Sequence, residues 1–252
     1  MYGKQQVYTN GRDPKIKEIS WKKQDIEKPA EIKKLNEAVQ NYGNFVSVKT
    51  ITSNRKPYGF GTDVIKKPAK YELKSSDLST SRTNDSDLLM YTHSAKIYYL
   101  NGDATFDKGK AYKKYKVFVP YAWGNMSENC GLGGSYADVI IASPHEICLE
   151  TYLESGCFDD FETARKHAKY LMTRFARALL YLNKFSQHST TAWGDIPIQD
   201  YHEDWWDKSI AEIDEELFKK YNVPDDIAQF VRENIQIKTE ANIVNFTTES
   251  KA

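Results

Sequence analysis

Cysteine is scarce in this chain and poorly placed for cross-linking or zinc binding. Cys130, Cys148 and Cys157 are odd in number and never closer than nine positions, so neither a CxxC nor a Cys/His metal spacing arises. This excludes a disulfide scaffold and points to reduced, mostly buried thiols in a cytoplasmic protein. Long apolar runs are lacking too. The longest fragments, such as "DVIIAS" and "RALLYL", fall far short of the roughly 18 residues a membrane-spanning helix needs, so no membrane association is expected. The start, "MYGKQQVYTNGRDPK", has no apolar stretch behind its lysine and does not read as a secretory signal. The five histidines (93, 145, 167, 188 and 202) form neither an HExxH motif nor an i,i+4 pair. P-loops, serine nucleophile elbows, paired-glycine dinucleotide signatures and internal repeats are absent as well. The sequence assembles no familiar catalytic centre.

What is present is a globular composition, 40% apolar and 28% charged over 252 residues, with a formal net charge of zero. The charge is unevenly distributed. Residues 1–120 hold 23 Lys/Arg against 13 Asp/Glu, residues 121–200 hold 6 against 10, and residues 201–252 hold 6 against 12. A basic front part is therefore joined to an acidic tail, an arrangement that permits a polyanion-binding face.

Three regions are expected. Residues 1–43 form a charged N-terminal segment, partly helical, with a helix from Pro29 to a stop at Gly43. Residues 44–200 open with strand-like "NFVSVKTIT" and a polar loop over 76–87. Two strand-like runs follow in "DLLMYTHSAKIYYLNGDATF", a hairpin signal with an Asn101-Gly102 turn after the second. "YKVFVPYAW", "ADVIIAS" and "EICLETYLES" read as further strands. Apolar residues at 161, 164, 168, 171, 175, 178, 182 and 185 then mark one long helical stripe, N-capped at Asp159 with Glu162 three positions on. Lys166, Lys169, Arg177 and Lys184 lie on its opposite face, with Arg174 nearby. Residues 201–252 form an acidic helical segment, "DKSIAEIDEELFKKYN" followed by "VPDDIAQFVRENI". Strands followed by helices give an α+β fold: a mixed or antiparallel sheet, a long amphipathic helix and a small C-terminal helical segment.

Several stretches invite chemistry. "NCGLGGS" (129–135) lacks the strand before and helix after that a phosphate-cradling loop requires, and reads as a surface turn. Asp63, Glu72 and Lys74 have the D-x8-E-x-K order of a metal-dependent nuclease centre, a permissive pattern that an exposed charged strand edge also produces. "SNRKPYGFGTD" (53–63) presents Arg55 and Lys56 on a turn stiffened by Pro57 and followed by Tyr58 and two glycines. The run Gln187-His188-Ser189-Thr190-Thr191 leaves the long helix with side chains able to bond base edges, while Arg177 and Lys184 could neutralise phosphates.

In order along the chain, "SNRKPYGFGTD", "KVFVPYAWG", "ETYLESGCFDDFETARKHAKYLMTRFARALLYLNKFSQHST", "IPIQDYHEDW" and "DEELFKKYNVPDDIAQFV" resemble a known region. It is the C-terminal target-recognition region of type II restriction–modification enzymes in which an N6-adenine DNA methyltransferase and a specificity domain share one chain. The similarity spans about residues 44–236 and is most specific over 150–188, including a Gly156-x-Phe158 turn. It implies a cytoplasmic, bacterial-defence module that binds double-stranded DNA and directs methyltransferase and endonuclease parts of the same parent chain. S-adenosylmethionine and Mg²⁺ would belong to those parts. Neither an Asn-Pro-Pro-Tyr nor an Asp-Pro-Pro-Tyr motif occurs in this chain, so it reads as a non-catalytic recognition fragment that itself needs no cofactor. On residue chemistry the expected DNA contacts are Arg55, Lys56, Tyr58, Arg177, Lys184, Gln187 and His188. The alternatives are a metal-dependent nuclease domain using Asp63, Glu72 and Lys74, or a protein-interaction module whose acidic tail docks a neighbour.

Overall fold

The computed structural model of the chain describes residues 4–7, 15–18, 29–93, 96–106, 108–109, 111–122, 132, 137–183 and 192–245. The chain forms two compact units, residues 1–30 and 31–252. In the first, β1 (Lys4–Val7) pairs antiparallel with β2 (Lys15–Glu18). The second opens with α1 (Ala30–Asn41), the helix expected before Gly43, which buries Ile32, Leu35 and Val39 on one face.

The remaining strands are β3 (Leu78–Ser79), β4 (Leu88–Tyr91), β5 (Ile97–Leu100), β6 (Tyr115–Pro120), β7 (Val139–Ala142), β8 (Ile147–Cys148), β9 (Tyr152–Phe158) and β10 (Ile243–Val244). They make two four-stranded sheets, ordered β10-β7-β6-β9 and β3-β5-β4-β8. Both are mixed, because β10 joins β7 and β8 joins β4 in parallel while the other pairs are antiparallel. The helices α2 (Phe161–Met172), α3 (Arg174–Leu182), α4 (Ile210–Lys220) and α5 (Asp225–Asn234) follow the strands. The fold is α+β.

The period of β6 and β7 organises the interior. Successive side chains of a strand point to opposite faces, and both faces of this sheet are covered. Val117, Val119, Val139 and Ile141 enter a core shared with α1 to α5. Phe118, Ile140 and Ala142 enter a second core with Tyr58, Phe60, Met90, Tyr91 and Ile147. Double burial explains why "VIIA" is an unbroken apolar run rather than an alternating one. The helical core draws on residues from Ile32 to Ile235, on both sides of 43/44 and 200/201.

Several local expectations change. The stretch 44–52 is not a strand: Val48–Ile51 forms a 3-10 turn capped by Ser47, whose Oγ accepts from the Lys49 N–H. Its β-branched residues pack without a ladder partner, apart from isolated bridges at Ser47 and Thr52. β4 and β5 form the expected hairpin, closed by Thr92 and Lys96, and the Asn101-Gly102 turn only leads the chain away. Gly156-x-Phe158 is not a turn. β9 runs through it with a bulge, Ser155 facing Val117 and Phe158 facing Tyr115, and Gly156 takes a φ of +79°. A β-carbon there would stand 2.2 Å from the Phe158 ring, so glycine is required.

The long helical stripe is two helices. Asp160, not Asp159, caps α2 by accepting from the Thr163 N–H at 2.8 Å. At Thr173 the backbone is extended (φ −60°, ψ 152°), and its hydroxyl caps α3 through the Ala176 N–H. The break preserves the phase of the apolar positions, so the periodicity reads straight through it.

Candidate nucleic-acid interface

The Arg55-Lys56 turn is fastened to β9 before its side chains are positioned. Thr52 bridges Ser155, the Ser53 N–H donates to Glu154 O at 2.7 Å, and the Glu154 N–H returns to Ser53 Oγ at 2.8 Å. Lys56 then adopts a φ of +62°, and the Gly59 N–H closes the turn onto Lys56 O at 3.0 Å.

Both basic side chains gather on one carboxylate. Glu150 lies 2.7 Å from Arg55 and 3.7 Å from Lys56, and it also accepts from the Thr62 N–H at 3.0 Å. The Arg55 guanidinium sits 5.0 Å above the Tyr121 ring, within cation–π range. Burial works to raise the Glu150 carboxyl pKa, but the Thr62 N–H, Arg55 and Lys56 outweigh it and hold the group below the usual range. The acid is largely covered, with 12% of its side chain exposed, whereas Arg55 keeps 52% exposed. The cations face outward and the anion inward.

A second acid repeats the pattern next door. Asp63 accepts from the Tyr71 hydroxyl and, at 2.9 Å, from Lys70, which together pull its carboxyl down to about 2. A β-carbon on Gly61 would meet Tyr71 Oη, Asp63 Oδ1 and Glu150 Oε1 at 2.5, 3.1 and 3.2 Å, so the two acid-centred clusters adjoin. Arg55, Lys56 and Lys70 therefore share one surface. Lys70, Glu150 and Tyr121 were not foreseen. Glu150 stands 95 positions from Arg55, and no local pattern links them.

Other expected contacts lie elsewhere. Tyr58 is fully buried in the second core and donates to Glu154, so it presents nothing to a partner. Arg177 is buried rather than displayed on a basic helix face. Its Nε donates to Met172 O and Thr173 O at 3.1 and 3.3 Å, and its Nη2 donates to Gln236 O. The other described cations of that face are covered similarly: Lys169 donates to Lys208 O, Lys166 to Tyr201 O, and Arg174 to Ile235 O. The cause is the tail, which returns over α2 and α3 and needs donors for its carbonyls. Lys184, Gln187 and His188, with the rest of the 187–191 run, lie outside the described residues. So does the 129–135 loop except Leu132, whose N–H donates to Asn234 O.

The nuclease-like trio is not brought into one centre. Asp63 is bonded as above, Glu72 ends a 3-10 turn in the left-handed region, and the Lys74 N–H donates to Asp77. Among the described residues no group of three His, Cys, Asp or Glu side chains is placed to hold a metal ion. Of the described thiols, Cys148 is buried and Cys157 exposed.

A hydroxyl–imidazole array escaped sequence reasoning. Ser155 Oγ lies 2.9 Å from His167 Nε2, and His167 Nδ1 lies 2.6 Å from Tyr201 Oη. Ser155 and His167 are both fully buried, and burial pushes His167 down to about 3. With no route for a substrate to the hydroxyl, the array locks β9 to α2 and to the 196–206 segment.

No helix among the described residues is long and apolar enough to cross a membrane. Comparison with family models, curated proteins and solved structures finds no match for this chain.

Proposed function

We propose that this chain binds duplex DNA as the target-recognition part of a restriction–modification enzyme, directing adenine methyltransferase and endonuclease parts carried elsewhere on the parent chain. The observation that carries the proposal is the shared surface of Arg55, Lys56 and Lys70. It belongs to the most basic stretch of the chain, and Glu150 is turned inward beneath Arg55 and Lys56 while Asp63, partly exposed, holds Lys70. Such a surface suits phosphate oxygens, which position a protein on a duplex, while sequence is read by groups reaching base edges. The order of the family-like stretches from 53 to 231 supports the same assignment. Arg177 and Tyr58 have no part in it, because both are buried.

The test is fluorescence anisotropy of a labelled duplex pool with the whole chain, across salt concentrations from about 50 to 200 mM. In the R55A/K56A double variant the slope of log affinity against log salt should fall by about two, one per lost phosphate contact. Lys219→Ala, on the acidic tail, should leave the slope unchanged. An unaltered slope in the double variant overturns the assignment.

A further inference from the structure

The Arg55-Lys56 turn is met by a second basic loop from some 50 positions along the chain. Residues 105–116 read "TFDKGKAYKKYK", five lysines against one acid, and the turn's own stretch, 53–74, holds six Lys/Arg against two acids. The two stretches meet through backbone and through rings. A β-carbon on Gly109 would stand 3.5 Å from Pro57 O. Phe106 contacts both Tyr58 and Phe60, with ring centroids 6.4 and 5.6 Å away. Phe60 in turn meets Tyr71 at 5.9 Å, the ring over which Lys70 stands.

The lysines of this loop are not equally available. Lys116 is fully buried, its ammonium donating to Ser143 O at 2.6 Å, and Lys114 pairs with Asp159. Lys110 lies outside the described residues. Lys108 and Lys113 are exposed, with no ion pair to any described residue. Of these two, Lys108 stands 5.3 Å over the Tyr112 ring and 5.8 Å over Phe106, at one end of an aromatic seam whose other end, Tyr71, carries Lys70. Tyr112 is fixed in place: the Lys114 N–H closes its turn onto Ala111 O, and Tyr112 O accepts from the His145 N–H at 2.8 Å. Ring faces attract a cation without neutralising it. Arg55, Lys56 and Lys70 are held by Glu150 and Asp63, whereas Lys108 adds a positive charge that no described acid offsets.

We propose that Lys108 contacts a phosphate of the bound duplex in the same footprint as Arg55 and Lys56, a role that rests on the DNA reading above. Cations spread along one seam, each on its own ring or acid, suit a row of backbone phosphates rather than one small anion. Because its charge is uncompensated in the free protein, Lys108 also draws the duplex in from a distance, where the paired cations partly cancel against their acids.

The experiment is anisotropy of a labelled duplex pool with the whole chain across salt concentrations, comparing Lys108→Gln, Lys108→Arg, R55A/K56A and the triple variant R55A/K56A/K108Q. Lys108→Gln is an exposed change that removes the charge, and Lys108→Arg keeps it. The salt slope should fall by about one in Lys108→Gln and by about three in the triple variant, and should stay at the wild-type value in Lys108→Arg. Association followed by stopped flow at about 50 mM salt should slow several-fold in Lys108→Gln. Inorganic phosphate should compete no better than chloride at equal ionic strength. If Lys108→Gln keeps the wild-type slope while R55A/K56A loses its two, the 105–116 loop lies outside the footprint and the role of Lys108 is overturned with the DNA reading intact. If every variant keeps the wild-type slope, the DNA reading fails and the role of Lys108 falls with it. Competition by free phosphate beyond that of chloride would make the seam a small-anion site and overturn the duplex contact.

Discussion

Arg177 and Arg55 are the same residue type put to opposite uses in two regions of one unit. Around the helices, Arg177, Arg174 and Lys169 point into seams and donate to carbonyls of the returning tail. Around the second core, Arg55, Lys56 and Lys70 stay at the surface, and it is the acid Glu150 that is drawn beneath the first two, with Asp63 partly exposed beside Lys70. The difference lies in what later chain covers each region. Burying a charge costs several kcal/mol unless its hydrogen bonds are all met, so a covered arginine becomes a structural staple and an uncovered one remains available to a ligand.

Substitutions can break or sharpen this contrast. The largest effect is expected at Arg177→Ala, which removes the side-chain donor to Met172 O and Gln236 O and opens a cavity. Denaturant unfolding should show a loss of about 3 kcal/mol or more, and a loss under 1 kcal/mol would put Arg177 outside the seam. Gly156→Ala should come next. The left-handed backbone and the collision with a Phe158 ring held against His167 and Tyr201 should cost about 2–3 kcal/mol. Gly59→Ala has the same φ but open space around it, and should cost only about 1–2 kcal/mol.

Acid should act on the helical region through His167. Its folded pKa, about 3, lies below the ordinary imidazole value, so its contribution is complete above pH 6.5 and is lost as pH falls toward 3. At pH 5 the loss should be about 2 kcal/mol relative to pH 7, and urea midpoints of wild type and His167→Gln should converge over that interval. The smallest stability change is expected at Arg55→Ala, within about 0.5 kcal/mol, because Arg55 is half exposed and Glu150 keeps Lys56 and the Thr62 N–H as partners. The same variant should nonetheless reduce the salt slope of DNA binding by about one. A variant that destabilised the fold as Arg177→Ala does would erase the distinction between the two regions.

Much of the fold was legible because periodicity is a local signal. β6 and β7, the β4–β5 hairpin, the apolar stripe of α2 from Phe161 and the two tail helices all follow from strand-forming apolar runs and 3.6-residue spacing. What escaped was set at a distance. The opposite face of α2 and α3 looks solvent-facing when the stretch is read alone, and only the return of residues 235–240 makes it an interior seam. The break at Thr173 was hidden because apolar spacing survives it, although a β-branched hydroxyl residue with a free N–H three positions on is a legible N-cap. Within the candidate site, the Arg55-Lys56 turn was visible from its proline and glycines. Its organising carboxylate was not, since Glu150 and Tyr121 reach it only through the pairing of β6 with β9.

The cap on α3 has a practical consequence. Asp214 accepts from the Arg174 and Phe175 N–H groups at 3.0 and 2.8 Å, closing the start of one helix with an acid from another. Anyone shortening this protein to a minimal piece, or transplanting its α2–α3 portion into a different scaffold, must carry the chain through Gln236. A cut made near residue 200 would leave that helix end open and two arginines facing empty space.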